Sequence, residues 1–105
     1  MAWEDARTEC LLRNATLASV HSAGEDAFIS SVTGPLKAWL GLTDLQTTPG
    51  NWSWIDQTLL NYSAWELGRP TGGTAHCAQK SLSGDWDDSV CSYQKPFFCR
   101  TKQLT

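Results

Sequence analysis

Several classes of protein are excluded by what this sequence lacks. Basic side chains are the minority, since 8 Lys and Arg stand against 11 Asp and Glu, which gives a net charge of −3. Nucleic-acid binding requires a basic surface, so we expect no nucleic-acid partner. No apolar run approaches the roughly 18 residues of a membrane span, so the chain itself is not expected to insert into a membrane. Any signal or membrane anchor is expected to lie outside it.

Cysteine is sparse and never occurs as a CxxC pair. The four cysteines are Cys10, Cys77, Cys91 and Cys99, and the nearest histidine to any of them is His76. Structural zinc sites normally show paired short spacings, so we expect no zinc. An even number of cysteines in a small domain indicates disulfides and an oxidising compartment. Four cysteines allow three connectivities, and the spacing does not choose among them.

Asparagine is rarer still, and its three occurrences share one context. Asn14, Asn51 and Asn61 each open an N-x-S/T triplet. Ser and Thr make up 21 of the 105 residues, so all three triplets would arise by chance about once in a hundred sequences. A single such pair is equally typical of a turn. The set of three predicts N-glycosylation and an extracellular protein.

The remaining composition is that of one small globular domain. The chain has 105 residues, of which 41% are hydrophobic and 18% charged, values that argue against disorder. Six of the residues are Trp, which provide large and rigid apolar surface. We expect a single domain over residues 1–105 with one modest hydrophobic core.

The first third of the sequence predicts two short helices. Trp3, Ala6 and Cys10 recur at helical spacing with polar residues between them, which indicates a helix over residues 3–13. A capping-box pattern from Ser22 to Glu25 opens a second helix, which we expect to end at residues 34–35, Gly-Pro. The apolar side chains of this second helix are Phe28, Ile29 and Val32.

The rest of the sequence predicts strands and one long loop. Short apolar or alternating runs indicate extended segments at residues 15–20, 38–42, 52–54, 78–82, 85–87 and 97–101. Residues 61–76 have no periodicity and are rich in Gly, Thr and Pro, so we expect a long functional or ordered surface loop. Helices followed by strands, without βαβ alternation, favour the α+β class.

Taken in order, several motifs resemble the C-type lectin-like domain, and the resemblance runs nearly from end to end. They are Trp3-Glu4-Asp5-Ala6 with Cys10, Leu17-Ala18-Ser19-Val20-His21-Ser22, Trp39-Leu40-Gly41-Leu42, Trp52-x-Trp54-x-Asp56, Tyr62-x-x-Trp65, Gly84-x-Trp86-Asp87-Asp88-x-x-Cys91 and Pro96-Phe97-Phe98-Cys99. The segments are most similar to the tandem domains of mannose-receptor-like endocytic receptors. The family begins with a strand before its first helix, so this chain is expected to lack that strand. The resemblance also implies two disulfides, Cys10–Cys99 and Cys77–Cys91.

The same resemblance implies where a sugar and its calcium ion would bind. Sugar-binding members hold calcium with a Glu-Pro-Asn triplet, a Glu shortly before the cysteine that corresponds to Cys77, and an Asn-Asp pair. These residues supply the oxygen ligands that a hard cation requires. The triplet falls on Arg69-Pro70-Thr71, and the Glu falls on Ala75. Asp87 and Asp88 alone keep side-chain oxygens. A fixed cation at position 69 would repel a divalent ion, so we expect the usual site to be lost.

An auxiliary calcium site of the family is expected to be lost for the same reason. Asp44 matches one of its ligands, but the positions of its partners carry Thr48 and Gly72. We therefore predict that this chain holds no cofactor.

These observations predict a non-catalytic extracellular recognition module, one domain of a larger receptor with neighbouring domains of its own. It would bind an extracellular protein or glycan, or act as a structural spacer. The candidate ligand-binding residues are Trp65, Arg69, Thr71, His76, Asp87 and Asp88. Arg69 would anchor an acidic partner or an anionic glycan, or would simply pair with a neighbouring Asp.

The sequence leaves one other function open and argues against a third. The alternative is a carbohydrate-binding lectin with a remodelled calcium site built on Asp87 and Asp88. A hydrolase would need a base beside Asp85, Asp87 and Asp88, and the sequence offers no such base, so we do not expect an enzyme.

Overall fold

The computed structural model describes residues 1–33, 37–46, 48, 50–81 and 84–101. Within these residues the two helices are α1 (Trp3–Leu12) and α2 (Ala23–Thr33). The strands are β1 (Ala15–Leu17), β2 (Ala38–Thr43), β3 (Ser53–Trp54), β4 (Cys77–Lys80), β5 (Trp86–Ser89) and β6 (Cys99–Thr101). The predicted α+β class is confirmed. In the part of the chain described, no helix is long and apolar enough to cross a membrane.

Two antiparallel sheets are built from these strands. One has the order β3-β2-β4-β5, and the other pairs β1 with β6. All six residues of β2 are buried, which explains why this strand appears in the sequence as a continuous apolar run. At Gly41 the strand passes so close to β1 that an added Cβ would lie 2.6 Å from the carbonyl oxygen of Leu17. A side chain is therefore excluded there.

Indole rings fill much of the core. Four tryptophans, Trp3, Trp39, Trp54 and Trp86, are at most 1% exposed. Their polar N–H groups need acceptors when buried, and Trp3 Nε1 donates to the carbonyl of Leu40 at 2.8 Å. Trp52 and Trp65 are only partly buried and pack against this core.

Helix α1 follows the spacing read from the sequence. Its buried residues are Trp3, Ala6 and Cys10, which form one face of the helix because residues three and four apart lie above one another. The helix ends at Leu12, one residue before the predicted limit.

Helix α2 differs in two details from its prediction. Ser22 Oγ accepts the backbone N–H of Glu25 at 3.1 Å, as a capping box requires. The Glu25 carboxylate, however, accepts the backbone N–H of His21 rather than that of Ser22. Of the three apolar side chains on the helix, Ile29 is buried, whereas Phe28 is 61% and Val32 54% exposed. The predicted stop at residues 34–35 lies outside the described residues.

A buried charged network joins α2 to the larger sheet. The Lys80 ammonium, whose side chain is 2% exposed, lies 2.8 Å from Asp26 Oδ1. The indole N–H of Trp86 donates to the same carboxylate oxygen at 2.9 Å. Lys80 also donates to the carbonyl of Gly84. The pairing offsets the desolvation of a buried cation.

Both implied disulfides are confirmed. Cys10–Cys99 joins α1 to β6 across 89 residues, and Cys77–Cys91 joins β4 to the segment after β5 across 14. In the chain-entropy account the longer bridge constrains the unfolded chain by about 4–5 kcal/mol and the shorter by about 3 kcal/mol.

Three predicted strands of the second half are present with shifted limits. The segments expected at 78–82, 85–87 and 97–101 correspond to β4, β5 and β6. Residue 82 lies outside the described residues. The predicted strand around Trp52 is shorter than expected, because β3 consists of Ser53 and Trp54 and pairs with Thr43 and Leu42 at the end of β2.

Candidate functional site

The long loop is fixed to β5 by backbone hydrogen bonds. The N–H of Glu66 donates to the carbonyl of Trp86 at 2.8 Å, and the N–H of Trp86 donates to the carbonyl of Ala64 at 2.7 Å. The ring of Trp65 packs edge-to-face against Trp86, with centroids 6.0 Å apart, and against Trp52 at 5.1 Å. Residues 64–66 are therefore held against β5 beside its acidic residues.

Asp88 is the buried centre of this region. Its side chain is 0% exposed, and Oδ2 accepts the backbone N–H groups of Thr71 at 2.8 Å and Gly72 at 2.9 Å. Burial raises the pKa of the Asp88 carboxyl, but hydrogen bonds, first those from the N–H groups of Thr71 and Gly72, hold the pKa below its ordinary value. The carboxylate is thus ionised at neutral pH and shapes the loop around itself.

The Arg69 guanidinium lies among three carboxylates. Its Nε is 3.1 Å from Asp87 Oδ1 and 4.0 Å from Glu66 Oε2, and its Nη1 is 3.9 Å from Asp88 Oδ1. The same Nη1 donates to the Thr71 hydroxyl. The Arg69–Pro70 peptide bond between these groups is cis. One fixed positive charge therefore faces three negative charges.

Three buried side-chain oxygens of β4 and β5 have no hydrogen-bond donor among the described residues. They are Asp87 Oδ1, Asp88 Oδ1 and Gln79 Oε1. Asp87 Oδ1 is in ionic contact with Arg69 without the alignment of a hydrogen bond. Gln79 is the register partner of Asp87 across β4 and β5, and its Nε2 donates to Asp87 Oδ2 at 3.4 Å. The site is therefore richer in acceptors than in donors.

The predicted site residues divide into two groups. Arg69, Thr71, Asp87 and Asp88 are brought into mutual contact. His76 contacts Asp44 instead, where its Nδ1 donates to the buried carboxylate at 2.8 Å. The other oxygen of that carboxylate accepts the backbone N–H of Gly50, also at 2.8 Å.

Comparison with known proteins identifies the family. Residues 1–101 match the family described as Lectin C-type domain. The chain is a C-type lectin domain. This family consists of non-catalytic recognition domains.

Relatives of this C-type lectin domain include cell-surface receptors. It is 35% identical to asialoglycoprotein receptor 1 of Rattus norvegicus over 95% of its own length and 37% of the receptor. It is 32% identical to human lymphocyte antigen 75 over 95% of its length and 6% of that protein. Among solved structures, a calcium-independent type II antifreeze protein has a TM-score of 0.88 and 28% identity, covering 94% of this chain and 77% of the other. The domain thus spans little more than a third of the curated relative it matches first.

Two residues that contact Arg69 or Asp87 were not among the candidates predicted from the sequence. Glu66 precedes Arg69 by three positions, a spacing that brings side chains together in a turn, and this signal was available. Gln79 reaches Asp87 through the register of β4 and β5, and no local pattern in the sequence predicts that register.

A Ser, a His and an Asp also lie close together elsewhere in this C-type lectin domain. Their hydrogen bonds do not have the arrangement of a catalytic triad. Ser19 Oγ donates directly to Asp56 Oδ2 at 2.5 Å, and Ser19 is 2% exposed. His21 contacts Ser19, Thr58 and Asn61, but no contact with Asp56 orients its ring within the described residues. A nucleophilic triad requires the carboxylate to hold the histidine, and that contact is missing among the described residues of this cluster.

Proposed function

We propose that this domain is an extracellular recognition module in which the Arg69 guanidinium takes the place of calcium, and that its ligand is a protein. The observation that carries the proposal is the contact of Arg69 with Asp87, Asp88 and Glu66. One of the three negative charges is thereby compensated from within the chain rather than by a bound cation. The proposal rests on the domain being part of a longer receptor, as is the matching segment of asialoglycoprotein receptor 1.

The donor set also supports the absence of calcium. Calcium takes six to eight oxygen ligands, and a guanidinium 3.1 Å from Asp87 Oδ1 stands where the ion would have to enter. Asp88 Oδ2 is committed to two backbone N–H groups, so its capacity to bind a metal through that oxygen is reduced. The residues therefore fit a calcium ion poorly.

A protein ligand is supported by the surface next to Arg69. Leu67 is fully exposed and lies two residues from Arg69 on the loop that β5 holds in place. Because Arg69 is already paired with carboxylates, we propose that it positions the loop rather than anchoring an acidic ligand. The candidate surface comprises Trp65, Arg69, Thr71 and Asp87, with His76 at the far end of the loop. The predicted residue Asp88 is fully buried, so we propose that it supports this surface through its backbone hydrogen bonds to the loop.

An extracellular location is supported by two further observations. Both disulfides are formed, and such bridges persist in oxidising compartments. Asn14, Asn51 and Asn61 are all exposed, as N-glycosylation requires. We propose that these three residues carry glycans.

A second candidate function is a lectin with a remodelled calcium site. It is favoured by the buried oxygens of Asp87, Asp88 and Gln79 that have no donor in the described part of the chain. If the Arg69 side chain swung outward, these oxygens would face an open position.

Calcium titration of the oxidised, glycosylated domain by calorimetry separates the two functions. We expect no binding heat with a dissociation constant below about 1 mM, the weak end for extracellular calcium modules, and no retention on immobilised galactose or mannose. As a positive control, the variant Arg69→Glu/Thr71→Asn/Ala75→Glu restores the oxygen ligands and should gain binding. Millimolar or tighter calcium binding by the unmodified domain would contradict the proposal and support the lectin.

A further inference from the structure

A concave surface lies between α2 and β6. It shares no residue with the site formed by Glu66, Arg69, Thr71, Asp87 and Asp88. It is a groove of about 420 Å³. Its apolar wall is formed by Ala18, Phe28, Ile29 and Phe98, and its polar rim includes Glu25 and Arg100. The rings of Phe28 and Phe98 are edge-to-face with centroids 6.4 Å apart. Phe28 is nevertheless 61% exposed.

Hydrogen bonds join the two charged residues of the rim, and part of the Arg100 guanidinium has no partner in the described part of the chain. Arg100 Nη1 donates to the carbonyl of Ser19 and to Glu25 Oε1, both at 3.0 Å. Glu25 Oε1 also accepts the backbone N–H of His21 at 3.0 Å. Among the described residues the Nε and Nη2 groups of Arg100 have no hydrogen-bond partner. This second edge of the guanidinium is the geometry that accepts a carboxylate bidentately.

We propose that this groove binds a small apolar monocarboxylate, with its ring or chain on the phenylalanines and its carboxylate on Arg100. The size follows from the volume, because a cavity of about 150 Å³ accommodates benzene and this groove can therefore hold about two rings. The apolar wall supplies the affinity, since Glu25 and Arg100 together carry no net charge. Arg100 supplies the orientation and the preference for an anion.

Removal of each of the two rim charges should change the affinity for an anionic ligand in opposite directions. Replacing Arg100 removes the hydrogen bonds to the carboxylate, which weakens binding about tenfold. Replacing Glu25 by Gln keeps an oxygen that can accept the His21 N–H but removes a negative charge near the ligand, so binding tightens several-fold. A purely structural role for the pair would make both variants weaker.

Calorimetry with 2-naphthoate tests the proposal, with 2-naphthylmethanol as the neutral analogue. We expect naphthoate to bind with a dissociation constant of about 1 mM or tighter, which corresponds to roughly 0.3 kcal/mol per heavy atom. The neutral analogue should bind about tenfold more weakly. Amide chemical-shift changes should concentrate on α2 and on the residues around Phe98.

Four variants complete the test, each checked for folding by its thermal transition. Arg100→Gln should weaken naphthoate binding, Glu25→Gln should strengthen it, and Phe28→Ser should weaken it without unfolding the domain, because Phe28 is largely exposed. The matched control Leu12→Ser, at an exposed position of α1, should leave binding unchanged. No saturable binding up to about ten times the expected dissociation constant, equal binding of the neutral analogue, or weakening by Glu25→Gln would each overturn the proposal.

Discussion

The substitution Arg69→Gln isolates the role of an internal cation. It removes the positive charge and leaves Asp87, Asp88 and Glu66 facing one another. Breaking a buried ion pair costs about 3–5 kcal/mol, and an exposed pair contributes about 0.2–1 kcal/mol. The Asp88 side chain is fully buried but that of Arg69 is 40% exposed, so the value belongs between these limits. We expect a loss of about 1–2 kcal/mol in the free energy of unfolding.

Calcium should partly reverse this loss in the variant and not in the unmodified domain. For a dissociation constant of about 1 mM, 10 mM calcium would restore about 1.4 kcal/mol by mass action. Thermal unfolding measures both effects, since about 1 kcal/mol corresponds to roughly 4–8 °C in a domain of this size. The expected pattern is a Tm lowered by about 5–15 °C and raised again by calcium.

A matched control is available in α1. Arg13 pairs with Glu9 at 3.0 Å on the surface, with 67% of the Arg13 side chain exposed, so Arg13→Gln should cost less than about 0.5 kcal/mol and show no calcium effect. The reasoning is refuted if Arg69→Gln is as mild as Arg13→Gln, or if calcium raises the Tm of the unmodified domain equally.

Two further predictions concern single positions. The pKa of Asp88 is lowered in the folded protein, so its contribution to stability is present above about pH 4, the ordinary Asp value, and is lost as the pH falls through the folded pKa. Asp88→Asn should therefore make the free energy of unfolding less dependent on pH below about pH 4. An acid-unfolding transition that is unchanged in this variant would contradict the prediction. Gly41→Ala should lower the free energy of unfolding by about 1–3 kcal/mol in urea, because the new Cβ would lie 2.6 Å from a β1 carbonyl oxygen. Gly24→Ala in α2, where the nearest atom is 3.8 Å away, should be neutral or slightly stabilising, and equal effects of the two substitutions would show that the close approach at Gly41 is unimportant.

The local elements could be predicted from the sequence because their signals are local. Helical spacing of Trp3, Ala6 and Cys10 identified α1, and the uninterrupted apolar run identified β2. Both patterns depend on the period of the backbone, which a short segment already contains. The even number of cysteines predicted disulfides, but their pairing depended on family resemblance until the structure confirmed it.

The residues of the candidate site could be predicted from the sequence, but the contacts among them could not. Arg69, Thr71, Asp87 and Asp88 came from aligning motifs, and the pairing of Arg69 with an Asp was one of two possibilities considered. The choice of Asp87 as its nearest carboxylate, at 3.1 Å, depends on the path of a loop without periodicity. Gln79 was missed because strand register sets its position.

The sequence by itself determined the class of the domain, its helices and its buried strands, because each of these follows from the order of apolar and polar residues along a short stretch. The tertiary structure alone decided which charges distant in the sequence meet and which apolar side chains stay exposed. Asp88 acquires its two N–H donors from residues 16 and 17 positions away. Arg100 meets Glu25 across 75 positions. Such contacts depend on how separate elements pack, and no local pattern encodes that packing.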